Sequence, residues 1–91
     1  MPKFKEIIRH YGLHHQTLKW CEEMGELIRA AARMLDDEKQ NRMNLIEEMA
    51  DVLICIEQMK TAWLISDGEL ERIINEKYDR TLKRIRSEND D

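Results

Sequence analysis

After Pro2 the chain of 91 residues contains no further proline, and only three glycines interrupt it. A polypeptide so free of helix breakers, dominated by Leu, Ile, Met, Ala, Glu, Lys and Arg, has helix formers at nearly every position. The pattern predicts an all-α chain of four helices. A short one covers about residues 3–11 and stops near Gly12. A second runs from about Leu13 to Leu35, where Leu18, Cys21, Gly25, Ile28, Ala32 and Leu35 recur at helical steps and mark a face for burial. DDEKQN at 36–41 reads as a turn. A third helix, from about Arg42 to Leu64, is apolar around most of its circumference. Ser66-Asp67-Gly68-Glu69 has the form of a capping box and opens a fourth helix that runs to about Arg86. Its apolar stripe is Leu70, Ile73, Ile74, Tyr78 and Ile85, with the stem of Lys77. Residues 86–91 read as a frayed tail.

The length fits one small domain spanning 1–91, whose core is marginal unless copies associate. A net charge of −4 argues against binding nucleic-acid polymers, without excluding a local basic pocket. Cys21 and Cys55 form no CxxC pair and sit in apolar helical pattern, so both are expected buried and reduced. No apolar run approaches the ~20 residues that span a bilayer. The start, MPKFKEIIRHYG, lacks the apolar stretch of a signal peptide. These features point to the cytoplasm, away from membranes.

The segment NLIEEMADVLICIEQM (44–59) raises a physical problem. Glu47, Glu48 and Asp51 repel one another on a helix. No Lys or Arg lies three or four residues from any of them. The same form, apolar-Glu-Glu-Met-small-acid-apolar, occurs in CEEMGEL (21–27) and IEEMADV (46–52). One gives ExxE as Glu23 and Glu26; the other gives ExxD as Glu48 and Asp51. The midpoint between them is Asp37, inside the turn, so an antiparallel hairpin brings four carboxylates to one level. Such a set cannot stay ionised in a partly dry place without a cation. Oxygen ligands suit Mg²⁺, with Mn²⁺ as a substitute. Glu22 and Glu47, a turn earlier, are placed to orient ligands or water from outside. The competing reading is a solvated acidic surface. It has force on the second helix, where Lys19 can pair with Glu23 and Arg29 with Glu26, and less on the apolar third helix.

QTLKWCEEMGELIRA (16–30), NLIEEMADVLICIEQM (44–59) and NEKYDRTLKRI (75–85) together resemble the MazG-like nucleotide pyrophosphohydrolases of the all-α NTP pyrophosphatase superfamily, in their compact single-domain form. The resemblance covers nearly all of the chain after residue 10. It implies a four-helix fold completed by forming a homodimer or homotetramer. It further implies Mg²⁺-dependent cleavage of nucleoside triphosphates to the monophosphate and pyrophosphate, with Glu23, Glu26, Glu48 and Asp51 as metal ligands. Basic residues of the last helix, Lys77, Arg80 and Arg84, are the phosphate-binding candidates. Apart from the resemblance, Gln16 and Lys19 lie one to two turns before the acids and are candidate contacts for a base or phosphate. Glu22 is the preferred carboxylate for taking a proton from water, ahead of Glu47. The alternative from a different class is a non-catalytic helical module that binds a nucleotide or a protein.

Overall fold

The computed structural model describes residues 2–90, and its helices are α1 (Pro2–Tyr11), α2 (Leu13–Arg33), α3 (Glu38–Ala62) and α4 (Asp67–Asn89). No strand occurs among the described residues, so the chain is all-α. Gly12 joins α1 to α2 with φ +86°, a left-handed backbone that favours glycine, and the chain there turns sharply enough for α1 to pack on both α2 and α3.

The α2–α3 hairpin is closed by side chains. Asp37 caps α3, its carboxylate accepting the Gln40 N–H at 3.0 Å. The Asn41 amide donates to the carbonyls of Arg33 at 3.0 Å and Asp37 at 2.8 Å. This cap starts α3 at Glu38, four residues before the predicted start at Arg42, and confines the turn to residues 34–37. Asp37 still stands at the centre of the reversal.

The face that α2 buries is not the predicted one. Gln16, Trp20 and Ala30 are buried, with Glu23 and Leu27 half-buried on the same side. Leu18, Ile28 and Leu35 are 60%, 71% and 90% exposed, and Cys21 is exposed too, contrary to the expectation of a buried thiol. Both faces repeat at helical spacing. Polar residues disguise the inner one, because they are satisfied across the hairpin: Gln58 Oε1 accepts from Trp20 Nε1 at 2.6 Å and from Gln16 Nε2 at 3.2 Å. Cys55 is buried as expected, and among the described residues the enclosed apolar ones are Phe4, Trp20, Ala30 and Cys55.

α4 packs against none of the other helices. Its junction is well defined. Ile65 N–H donates to Lys60 O at 3.0 Å, Leu64 takes φ +54°, and Lys60 pairs with both Glu57 and Asp67. The capping box forms as predicted: Ser66 Oγ accepts from Glu69 N–H at 3.1 Å while the Glu69 carboxylate accepts from Ser66 N–H at 2.8 Å. Every α4 residue is exposed except half-buried Leu70. The helix continues to Asn89 through most of the stretch expected to fray, and Asp91 lies outside the described residues. The radius of gyration is 17.0 Å, against about 12 Å for a compact chain of this length.

Candidate metal centre between the second and third helices

α2 and α3 run antiparallel about Asp37, so ExxE and ExxD face each other as their spacing requires. Carboxylate oxygens of Glu23, Glu26 and Glu48 lie within 4.8 Å of one another. The Glu23 side chain is only 12% exposed. One oxygen of Glu23 and one of Glu48 (Oε2 in each) are shielded from solvent without any hydrogen-bond partner. Burying such oxygens unsatisfied is costly.

The electrostatics follow. Burial pushes the Glu48 carboxyl above its ordinary 4.5, and the charges of Glu26, Asp51 and Glu23 push it further, as does a hydrogen bond to Glu26. Lys19 is the cation that reaches this cluster. Its Nζ lies 3.3 Å from Glu23 Oε1, and that bond raises the ammonium, helped by the charges of Glu23 and Glu22. Burial raises the Cys55 thiol, with Glu23 and Asp51 adding to it, which keeps the sulfur protonated and disfavours a nucleophilic role.

Asp51, expected as the fourth ligand, stands outside the group of three. It is exposed and lines a cleft of about 140 Å³ with Gln16, Lys19, Trp20, Glu23 and Cys55. Glu22 is exposed on the rim of a larger cavity of about 700 Å³, shared with Ile7, Tyr11, His15, Gln16 and Lys19. Gln16 and Lys19 line both spaces and so make them neighbours. Glu47 is exposed on α3. Lys77, Arg80 and Arg84 ride on the projecting α4, and a single chain does not bring them to the carboxylates.

Gln58 is the site residue that sequence reasoning missed. It falls in the series 48, 51, 55, 58, the steps of the α3 face that carries Glu48, and this register was the available signal. The oxygen-only donor set and its unpartnered buried atoms fit a hard divalent cation. No protein-family model, curated protein or solved structure matches this chain.

Proposed function

We propose that the hairpin holds Mg²⁺, with Mn²⁺ as a substitute, and that the protein hydrolyses (deoxy)nucleoside triphosphates to the monophosphate and pyrophosphate. The observation that carries this reading is the convergence of Glu23, Glu26 and Glu48 with two buried oxygens lacking a partner. Bound there, the cation supplies charge neutralisation at phosphate oxygens and a lowered pKa for water. Glu23, Glu26 and Glu48 hold it, and Asp51 completes the set from the rim. Lys19, already drawn to Glu23, contacts a phosphate at the junction of the two spaces. The larger cavity, about 700 Å³, is of the size that small-molecule sites have and takes the nucleoside between Tyr11, His15 and Gln16. Glu22, on its rim, accepts the proton of the attacking water.

The same reading makes the bundle a MazG-like one, completed by further copies of the chain. It places the protein in the cytoplasm, where the exposed thiol of Cys21 stays reduced. Among the described residues, no helix is long and apolar enough to cross a membrane.

The test is pyrophosphate release from a panel of nucleoside triphosphates, with Mg²⁺ and with chelator. Release that depends on Mg²⁺ is expected from at least one of them. Asp51→Asn should reduce it by at least ~100-fold, since several kcal/mol of charge stabilisation depend on the intact ligand set. Silence across the panel with Mg²⁺ or Mn²⁺ present would overturn the enzymatic reading.

A further inference from the structure

The polar side chains between α2 and α3 form a series in which donor and acceptor roles are forced. Trp20 Nε1 can only donate, so the group it meets at 2.6 Å must be the oxygen of Gln58. The same oxygen takes a second contact at 3.2 Å, so Gln16 must face it with its amide nitrogen. That turns the Gln16 oxygen toward His15, whose Nδ1 lies 3.1 Å away. An amide oxygen cannot donate, so the hydrogen of this bond sits on His15 Nδ1. Trp20, Gln58 and Gln16 are 1%, 5% and 5% exposed, so water does not compete for these bonds. An indole on α2 thus sets, by way of Gln58 on α3, the tautomer of a histidine earlier on α2.

The other nitrogen of that ring carries the consequence. With Nδ1 protonated, a neutral imidazole holds its free lone pair on Nε2. His15 Nε2 makes no hydrogen bond among the described residues. The ring lines the cavity of about 700 Å³ together with Ile7, Tyr11, Gln16, Lys19 and Glu22. Tyr11 lies flat against it, with ring centroids 5.1 Å apart and planes 18° from parallel, which steadies the plane of the imidazole. The Lys19 ammonium, a donor on the same wall, is drawn off to Glu23 at 3.3 Å. Glu22, as a carboxylate, only accepts. At His15 the wall therefore answers an N–H group with an acceptor, and meets a carbonyl oxygen with a second lone pair.

We infer that His15 selects the base: its Nε2 accepts a hydrogen bond from an exocyclic amino group, so the cavity favours cytosine and adenine over bases with a carbonyl at the same ring position. This rests on the reading of the cavity as a nucleoside site, and adds to it a class of base and the residue that chooses it. A carbonyl in place of the amino group sets acceptor against acceptor and leaves His15 unpaired. His15 is exposed, so water softens the penalty. The expected preference is about 10-fold, well below the factors that enclosed polar sites reach.

Two matched pairs of nucleotides test it, since each exchanges amino for carbonyl in rings of the same size and shape: dCTP against dUTP, and dATP against dITP. All four are used as α,β-methylene triphosphates, which cannot release pyrophosphate, so binding is read apart from hydrolysis. Calorimetric titration of the wild-type chain with Mg²⁺ present should show the amino member of each pair bound about 10-fold tighter. His15→Phe keeps a ring against Tyr11 and removes both nitrogens. It should bring each ratio close to one, chiefly by weakening the amino member, and circular dichroism checks that helix content is kept. Nitrogen NMR of the wild-type chain should find the His15 hydrogen on Nδ1. Equal binding within both pairs, a preference that survives His15→Phe, or a neutral ring protonated on Nε2 overturns the inference. Nucleotides that bind with this preference while their hydrolysable forms release no pyrophosphate overturn the hydrolytic reading and leave the choice of base by His15 standing. A chain that binds none of the four overturns both.

Discussion

Glu48 concentrates the cost of the carboxylate cluster in a single group. Its carboxyl titrates above 4.5 in the folded chain because burial and then its acidic neighbours disfavour the charged form. Between that ordinary value and the raised one the folded state binds more protons than the unfolded state. Stability therefore falls as pH rises through this window, and the contribution is fully kept below it. Glu48→Gln removes the titration. The metal-free variant should melt above wild type at pH 7, and the gap should close as pH falls toward 4.5; calorimetry of both proteins at a series of pH values measures this. Mg²⁺ should raise the wild-type melting temperature and leave that of the variant unchanged, because a ligand stabilises only the state that binds it. A variant that melts lower at pH 7 would mean that Glu48 is held by a partner. Gln58 makes the opposite case: Gln58→Leu strands the Trp20 N–H and the Gln16 amide in a buried place, and urea denaturation should register a loss of about 1–3 kcal/mol. These two residues also show what was readable beforehand. The convergence of Glu23, Glu26 and Glu48 followed from the mirror spacing about Asp37. The position of Asp51 on the rim did not, because side-chain reach depends on the rotation of α3 about its axis, which spacing leaves free. Gln58 escaped because a lone glutamine in an apolar run shows its role only when its hydrogen-bond partners, 38 and 42 residues away, are in place.

At the level of elements, caps and turns were legible where side chains act locally. Ser66 and Glu69 form the reciprocal bonds that their spacing announces. Asp37 and Asn41 lay in the right turn, yet their bonds start α3 earlier than the apolar pattern suggested. The buried face of α2 was misjudged for a different reason. Leu18, Ile28 and Leu35 make the more apolar face, and the hairpin leaves it outward because the inner face must carry Glu23 and Gln16. α4 has the clearest consequence. Nothing in its own chain packs on it, so as a lone helix it relies on its cap and on pairs such as Arg72–Glu76 at 3.0 Å. Ser66→Ala should cost it about 1 kcal/mol. Hydrogen exchange at nanomolar concentration, where copies separate, should find the amides of α4 opening well before those of α2 and α3. Strong protection of α4 in a demonstrated monomer would show that the helix has cover within its own chain.

The whole molecule is too extended for what it buries. The apolar residues enclosed among those described, Phe4, Trp20, Ala30 and Cys55, cannot offset the ordering of helices that reach 55 Å across. The sequence hinted at this through an α3 that is apolar around most of its circumference, since a helix of that kind needs neighbours on more than one side and α1 and α2 supply only some of them. Where α4 goes was not legible, because its direction is fixed by backbone angles at Trp63–Ser66, among them the φ of +54° at Leu64, that no periodicity records. If association supplies the missing burial, folding and assembly are one equilibrium, and stability must depend on protein concentration. Each tenfold dilution removes about 1.4 kcal/mol from a folded dimer. For a cooperative unit of roughly 180 residues that lowers the melting temperature by about 3–6 °C. Scanning calorimetry from 1 to 100 μM should trace this slope. A melting temperature independent of concentration over that range would show that one chain holds itself together, and the surface left open on α3 and α4 would then need another explanation.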